Sequence, residues 1–390
     1  MDRISKLEYK YVSNVLENSF ETSTNSIYNN KLEEKFSLVY NSNFAIGHVN
    51  GTATLHTALV ALGVGSGDEV IVPPLTMSST ALAVLQANAI PIFADVDIDT
   101  FNICPISIKK NINKNTKALI TVALYGLSPE YDEILKICNE NSIGLIEDNA
   151  ETFFSKYKDK FVGEFGDFAS FSFQASKHLS AGEGGMLLCK SEVLANKARR
   201  FSSLGYAGVD AKKGKITKKD IQDPNYSRHV SLGYNYRMSE LCAAVVLAQL
   251  ERADDLIKPR ILAAQNFSEA IKDTNLLKQQ FTPSYCLNSF WSFSVVLNTD
   301  KPEIDWYKFR DLFVKNGGDG FYAAWKLSYF EPLFLNEIQN KQNVYQKYQN
   351  GLCPNAEFLQ TRMIQLKTNY WNSDDSKRQA EILNKTTLEF

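Results

Sequence analysis

The chain has 390 residues, 44% of them apolar and 22% charged, with a formal net charge of −2. That length suits one large domain with a smaller companion. The near-neutral balance gives no electrostatic footprint for nucleic acid and no run is long enough to span a bilayer, so neither a nucleic-acid nor a membrane partner is expected; six scattered cysteines without a C-x-x-C pair suggest neither a disulfide framework nor a zinc site.

In chain order, Ile4 to Tyr40 reads as two amphipathic helices joined by the polar stretch Glu21 to Asn25. This start lacks the apolar core of a signal peptide, so a soluble cytoplasmic protein with reduced thiols is expected. Strand and helix signals then alternate. Phe44 to Val49, Val70 to Pro73, Pro91 to Val96, Ala118 to Leu124 and Gly144 to Asp148 read as strands, separated by helical runs at Leu55 to Leu62, Ser79 to Ala89, Ile106 to Ile112 and Tyr131 to Glu140. Such alternation implies crossover units and a mainly parallel sheet, whose ligands bind at the carboxyl ends of its strands. The fold class expected is α/β.

Two of those ends, and one stretch further along the chain, carry chemistry. The turn Asn50-Gly51-Thr52-Ala53 opens directly into a helix, which makes an anion site suited to a phosphate; an ordinary helix cap is the plainer alternative. Asp148 closes a buried strand, where a carboxylate wants a cationic partner, and a salt bridge or a cap would also satisfy it. Lys177 lies between the apolar run Phe168 to Phe173 and the glycine-rich Ala181-Gly182-Glu183-Gly184-Gly185, in the company of Ser172, Gln174 and Ser176. An amine withdrawn from water by an apolar strand can lose its proton and act as a nucleophile, although a lone lysine there is more simply a surface group.

Lysine, acid and phosphate turn together meet the needs of pyridoxal 5'-phosphate: an amine for its aldehyde, a carboxylate for its ring nitrogen and a helix start for its phosphate. In order, the chain carries Asn50-Gly51-Thr52-Ala53-Thr54-Leu55, Gly67-Asp68-Glu69-Val70-Ile71-Val72-Pro73, Asp95-Val96-Asp97, Ile146-Glu147-Asp148, Ser172-Phe173-Gln174-Ala175-Ser176-Lys177, Gly182-Glu183-Gly184-Gly185 and Gly233-Tyr234-Asn235-Tyr236-Arg237-Met238. These stretches resemble the sugar aminotransferases of the DegT/DnrJ/EryC1/StrS family, strongly from about Asn30 to Ala253 and loosely beyond.

The resemblance implies a fold type I aminotransferase with a large α/β cofactor-binding domain over residues 1–250 and a smaller α+β domain over 251–390. It makes Lys177 and Asp148 the catalytic pair. Lys177 matches the lysine that bonds to the cofactor aldehyde, and Asp148 the acid that faces the pyridinium nitrogen. Gly51, Thr52 and Ala53 match the phosphate turn, and Ser172, five positions before the lysine, a hydroxyl that also holds the phosphate. Asn235 matches an asparagine sent across a homodimer interface to the partner's cofactor, though a turn before the next helix is the plainer reading of Asn235 and Arg237. Gln174 is counted among the cofactor-binding residues and also resembles cyclitol aminotransferases and aminohydroxybenzoate synthases of the same family.

Some positions depart from the family's pattern. Met77 stands where an aromatic ring commonly covers the cofactor, and a polarizable thioether can serve there. Glu151 stands near the cofactor hydroxyl, where glutamine or histidine is frequent. His178 follows the lysine; a branch of the family with histidine in place of the lysine dehydrates its sugar, so Lys177 favours amination. The implied reaction moves an amino group from an amino acid, glutamate first, to a keto sugar such as a nucleotide-linked 4-keto or 3-keto hexose. A keto-inositol acceptor is the first rival, and a non-catalytic cofactor-binding regulator the second.

The remaining histidines, His48, His56 and His229, show no metal spacing and read as core or surface. The cluster Lys212, Lys213, Lys215, Lys218 and Lys219 reads as a solvated loop. Arg252 to about Asp273 reads as a long helix, Phe290 to Leu297 as a strand, Ile304 to Lys315 as a helix and Gly317 to Gly320 as a tight turn. Trp306, Tyr322 and Trp325 read as core, with a border to a substrate pocket as the alternative.

Overall fold

Short apolar runs bounded by turn residues make the central sheet. Seven of them pair: β1 (Phe44–His48), β2 (Glu69–Val72), β3 (Ile90–Phe93), β4 (Thr116–Val122), β5 (Gly144–Asp148), β6 (Phe168–Ser172) and β7 (Gly185–Cys189), in the order β1-β7-β6-β5-β4-β2-β3. The computed structural model describes residues 3–18, 20, 26–211, 218–301, 304–338 and 346–390. The polar joint Glu21 to Asn25 and the lysines 212, 213 and 215 lie outside the described residues.

Strands β3, β2, β4, β5 and β6 run parallel, while β7 is antiparallel to both β6 and β1. Two reversals restore direction, so β1 runs with β6. The carboxyl ends of all strands except β7 therefore meet one edge of the sheet, where such folds collect ligands. The strands β2, β6 and β7 are buried along their whole length, the pattern of a sheet covered on both faces.

Helix α1 (Lys6–Glu17) begins in a capping box: the Ser5 hydroxyl takes the Leu7 N–H at 3.1 Å while Glu8 receives the Ser5 N–H at 2.9 Å. Helix α2 (Ile27–Val39) buries Leu32 and Phe36 in the core that also holds Phe171, Phe173 and Met186. An ion pair fastens this layer: Arg199 reaches both Glu33 oxygens, at 2.7 and 2.6 Å, with both side chains largely buried. Helix α3 (Gly51–Ala61) lies inside the molecule, burying Leu55, Ala58 and Leu59 against Ile46 and Ile146.

After helices α4 (Glu240–Glu251) and α5 (Ala253–Ile271), the alternation stops. A second sheet forms from β8 (Leu277–Gln279), β9 (Ser292–Leu297), β10 (Tyr322–Ala323) and β11 (Met363–Lys367), in the order β8-β9-β11-β10 and entirely antiparallel. Helix α6 (Ser373–Leu388) packs on α5. The chain between β10 and β11 returns to the first core: Tyr329, Phe334 and Tyr348 all meet Phe93. The fold is thus α/β with a mainly parallel central sheet and smaller antiparallel sheets. Among the described residues no helix is long and apolar enough to cross a membrane.

Candidate active site

The turn after β1 sits on the ligand edge. Asn50 caps α3, its Oδ1 accepting the Ala53 N–H at 2.8 Å. The first N–H groups of a helix have no partner within it; with that of Ala53 taken, those of Gly51 and Thr52 meet no hydrogen-bond acceptor among the described residues. Glycine is required by close approach. A Cβ on Gly51 would meet the Ser172 Cβ at 2.9 Å, and one on Gly185 would meet the Asn50 carbonyl carbon and oxygen at 2.6 Å. The helix start is thereby pressed onto the end of β6, with the Ser172 hydroxyl beside it.

Successive residues of a strand face opposite ways, and β5 uses both faces. Glu147 turns away from the cavity and accepts three backbone N–H groups, from Gly163, Phe165 and Gly166, at 2.7 Å each. Asp148 faces the cavity, 4% exposed, accepting the Thr80 hydroxyl at 2.9 Å and the Ala150 N–H at 3.2 Å. Among the described residues no cation lies within ion-pair distance of it. Burial pushes its carboxyl up from 3.8 to about 6; the Thr80 and Ala150 bonds and the charge of Lys177 resist, and Glu151 adds a smaller upward push. The salt bridge that the sequence allowed for Asp148 is not made.

The ion pair belongs instead to Glu151, whose Oε1 lies 3.5 Å from Lys177 Nζ. Its other oxygen accepts the Tyr125 N–H at 3.2 Å. Lys177 is 9% exposed, and its amine lies 4.4 Å from the centre of the Trp291 ring. Gln174 shapes the approach to it, accepting the Ser176 N–H and hydroxyl at 2.8 Å each. His178 points elsewhere: it is fully buried, Nε2 meets the Ser289 carbonyl at 3.1 Å, and burial lowers its pKa well below the usual value, so it stays neutral. Lysine, not histidine, is the group presented to the cavity.

A cavity of about 810 Å³ brings together Gly51, Thr52, Met77, Asp148, Glu151, Ser172, Gln174 and Lys177. Ala53 and Asn235 do not line it. Ala53 is buried, and Asn235 is exposed beside Leu232 and Tyr234, 77% and 42% exposed. The far wall comes from the C-terminal third: Arg260, Trp291, Tyr322, Trp325, Gln365 and Lys367. This corrects the expectation of an aromatic core group. Only Trp306 packs inward, against Phe321, with Nε1 donating to the Met363 carbonyl. Tyr322 and Trp325 are 73% and 49% exposed on the cavity wall; Tyr322 opens the short strand β10 at the edge of the second sheet, and Trp325 follows it two residues on.

Sequence reading missed Thr80, Arg260 and Trp291, which reach the site from segments with no motif. Burial lowers the Arg260 pKa to about 9, and NH1 donates to the Trp291 carbonyl at 3.0 Å. Of the other histidines, His48 is buried between the Ile46 carbonyl and the Thr57 hydroxyl, and His229 is exposed. His56 meets the Tyr236 hydroxyl at 3.1 Å. No group that could hold a metal ion occurs among the described residues.

The sequence profile described as the DegT/DnrJ/EryC1/StrS aminotransferase family matches residues 2–383. The chain is 36% identical over 293 residues to GDP-perosamine synthase of Escherichia coli O157:H7, covering 75% of each chain. Among solved structures, the aminotransferase from Psychrobacter cryohalolentis superposes with a TM-score of 0.87 at 25% identity, over 99% of this chain and 97% of that one. A GDP-4-keto-6-deoxymannose-3-dehydratase with a trapped PLP-glutamate geminal diamine superposes with a TM-score of 0.84 at 25% identity, over 98% of each.

Proposed function

The chain belongs to the DegT/DnrJ/EryC1/StrS aminotransferase family, and from that premise we propose that it moves an amino group from glutamate to a nucleotide-linked keto hexose with pyridoxal 5'-phosphate. The observation that carries this reading is the meeting of Lys177, Asp148 and the Gly51-Thr52 helix start in one cavity. The residues fit the cofactor. A buried carboxylate without a cation is costly, and a protonated ring nitrogen supplies one. Two unclaimed N–H groups and the Ser172 hydroxyl suit a phosphate, and Lys177 suits the aldehyde. Met77 and Glu151 also line the cavity, where a thioether and a carboxylate could border the ring. When bound, the cofactor supplies an electron sink for the carbanion formed at the carbon that loses its proton.

The protein's own groups do the rest. Asp148 keeps a proton on the ring nitrogen by its negative charge. Lys177 Nζ takes the proton from the donor's α-carbon and, in the second half-reaction, returns one to the sugar carbon that receives the amine. Glu151 holds Nζ between these tasks. A lysine at this place, with His178 turned into the core, supports amination over dehydration.

A nucleotide handle suits the far wall. The exposed rings of Tyr322 and Trp325 offer stacking faces, and Lys367 stands near them, paired with Asp319 at 2.6 Å. A homodimer suits the segment that carries Asn235, where Val230, Leu232 and Tyr234 expose apolar surface. The six free cysteines support a reducing compartment, the cytoplasm.

The test is a screen of glutamate and glutamine against nucleotide-linked keto sugars and keto-inositols, read by mass spectrometry. The reading expects 2-oxoglutarate together with an amino sugar. Amination of a keto-inositol alone would replace the acceptor class, and no keto acid from any pair would refute the function.

A further inference from the structure

The Lys177 amine sits within a closed set of contacts. Nζ lies 4.4 Å from the centre of the Trp291 ring and 3.5 Å from Glu151 Oε1. Both neighbours hang on one residue: Tyr125 gives its N–H to Glu151 Oε2 at 3.2 Å, and its carbonyl accepts the Trp291 N–H at 3.0 Å. Tyr125 has φ 60 and ψ 15, a sparsely populated conformation for a bulky residue, so the surroundings hold it there. The indole is fixed at its other end. Its Nε1 donates to the Ser176 carbonyl at 3.0 Å, the peptide oxygen immediately before Lys177, and Arg260 reaches the same oxygen at 3.4 Å. The contacts thus run from Lys177 through Glu151, Tyr125, Trp291 and Ser176 back to Lys177.

An ammonium is attracted to the face of a tryptophan, and more strongly where water is excluded. Lys177 is 9% exposed. Such a face acts only on the charged amine, which exists when Lys177 is not covalently engaged and is carrying a proton.

We propose that Trp291 is the positioning residue of Lys177: its ring face holds the protonated amine and its N–H anchors the peptide from which that side chain springs. Glu151 takes one N–H of the ammonium, so the amine is steered from two groups tied to the same backbone residue. The proposal rests on Lys177 as the proton carrier of the transfer reaction, and its test separates the two ideas.

The first measurement uses the full-length cofactor-free protein. Lys177 is acetylated with limiting acetic anhydride at pH 7 and its peptide is quantified by mass spectrometry against the exposed lysines of the same sample. Tetrafluorotryptophan at position 291 keeps shape and N–H but weakens the negative ring face. It is expected to raise Lys177 labelling roughly threefold or more, because the weakened ring face holds the amine less firmly. Labelling equal to that of the wild type overturns the ring's role. The second measurement is Trp291→Phe in the loaded enzyme, which keeps a ring and removes the anchor. We expect kcat to fall roughly tenfold with the donor KM within twofold, since only the proton-transfer step is mispositioned. An unchanged kcat overturns the anchor. A wild type that turns nothing over sinks the proposed function and leaves the labelling result to stand or fall alone.

Discussion

Asp148 should cost the cofactor-free protein stability, and Asp148→Asn should recover it. Burial raises this carboxyl from 3.8 to about 6. For an acid raised on folding, the stabilising contribution is complete below the unfolded value and is lost as pH climbs through the folded one. The difference of about two units corresponds to about 3 kcal/mol of folded-state cost above pH 6. Asparagine removes the charge but can accept only one of the two bonds now made by Thr80 and Ala150, a loss of about 1 kcal/mol. The variant without cofactor is therefore expected to be more stable by about 2 kcal/mol at pH 8, with the advantage gone below pH 4. Urea unfolding midpoints from pH 4 to 8 measure this. A wild type as stable as Asp148→Asn at pH 8, or a difference that does not change with pH, would refute the reasoning. With cofactor bound, the order should invert, because the ring nitrogen supplies the missing cation and the wild type alone exploits it.

Three further outcomes are expected. Lys177→Ala should lower transamination by about a thousandfold or more, as loss of the general base requires, and borohydride should no longer fix the cofactor to the protein; covalent fixation in the variant would remove Lys177 from its role. Gly185→Ala should destabilise the protein by about 1–3 kcal/mol and weaken cofactor retention on a desalting column, since the new methyl meets the Asn50 backbone. Arg199→Ala leaves the largely buried Glu33 with the Gly47 N–H at 2.8 Å as its remaining hydrogen-bond donor among the described residues, and should cost about 3–5 kcal/mol in thermal or urea unfolding; a loss below 1 kcal/mol would show that water reaches Glu33.

Much of the molecule was legible in the chain. Strand β5 runs from Gly144 to Asp148 as its apolar run and turn signals indicate, and β6 ends at Ser172, one residue short of the expected Phe173. Capping announced α3, although the helix begins at Gly51, several residues before its apolar run. The edge residues were harder. Tyr322 and Trp325 have the composition of core, yet Tyr322 opens the edge strand β10 and both stand exposed on the cavity wall. The 1–250 and 251–390 division hid the return of Tyr329 and Tyr348 to Phe93, because that packing joins segments more than two hundred residues apart.

The sequence by itself determined the order of elements and the mainly parallel sheet, which are written in local periodicity, and its contiguous motifs singled out Lys177, Asp148 and the Gly51-Thr52 turn as the candidates that one cavity brings together. Tertiary structure alone decided who pairs with whom: that Glu151 rather than Asp148 meets Lys177, that Thr80 supports the acid, and that Trp291 lies beside the amine. The physical reason is that local patterning selects a backbone, whereas a buried charge finds its partner through space, among side chains that only the packed sheet brings together.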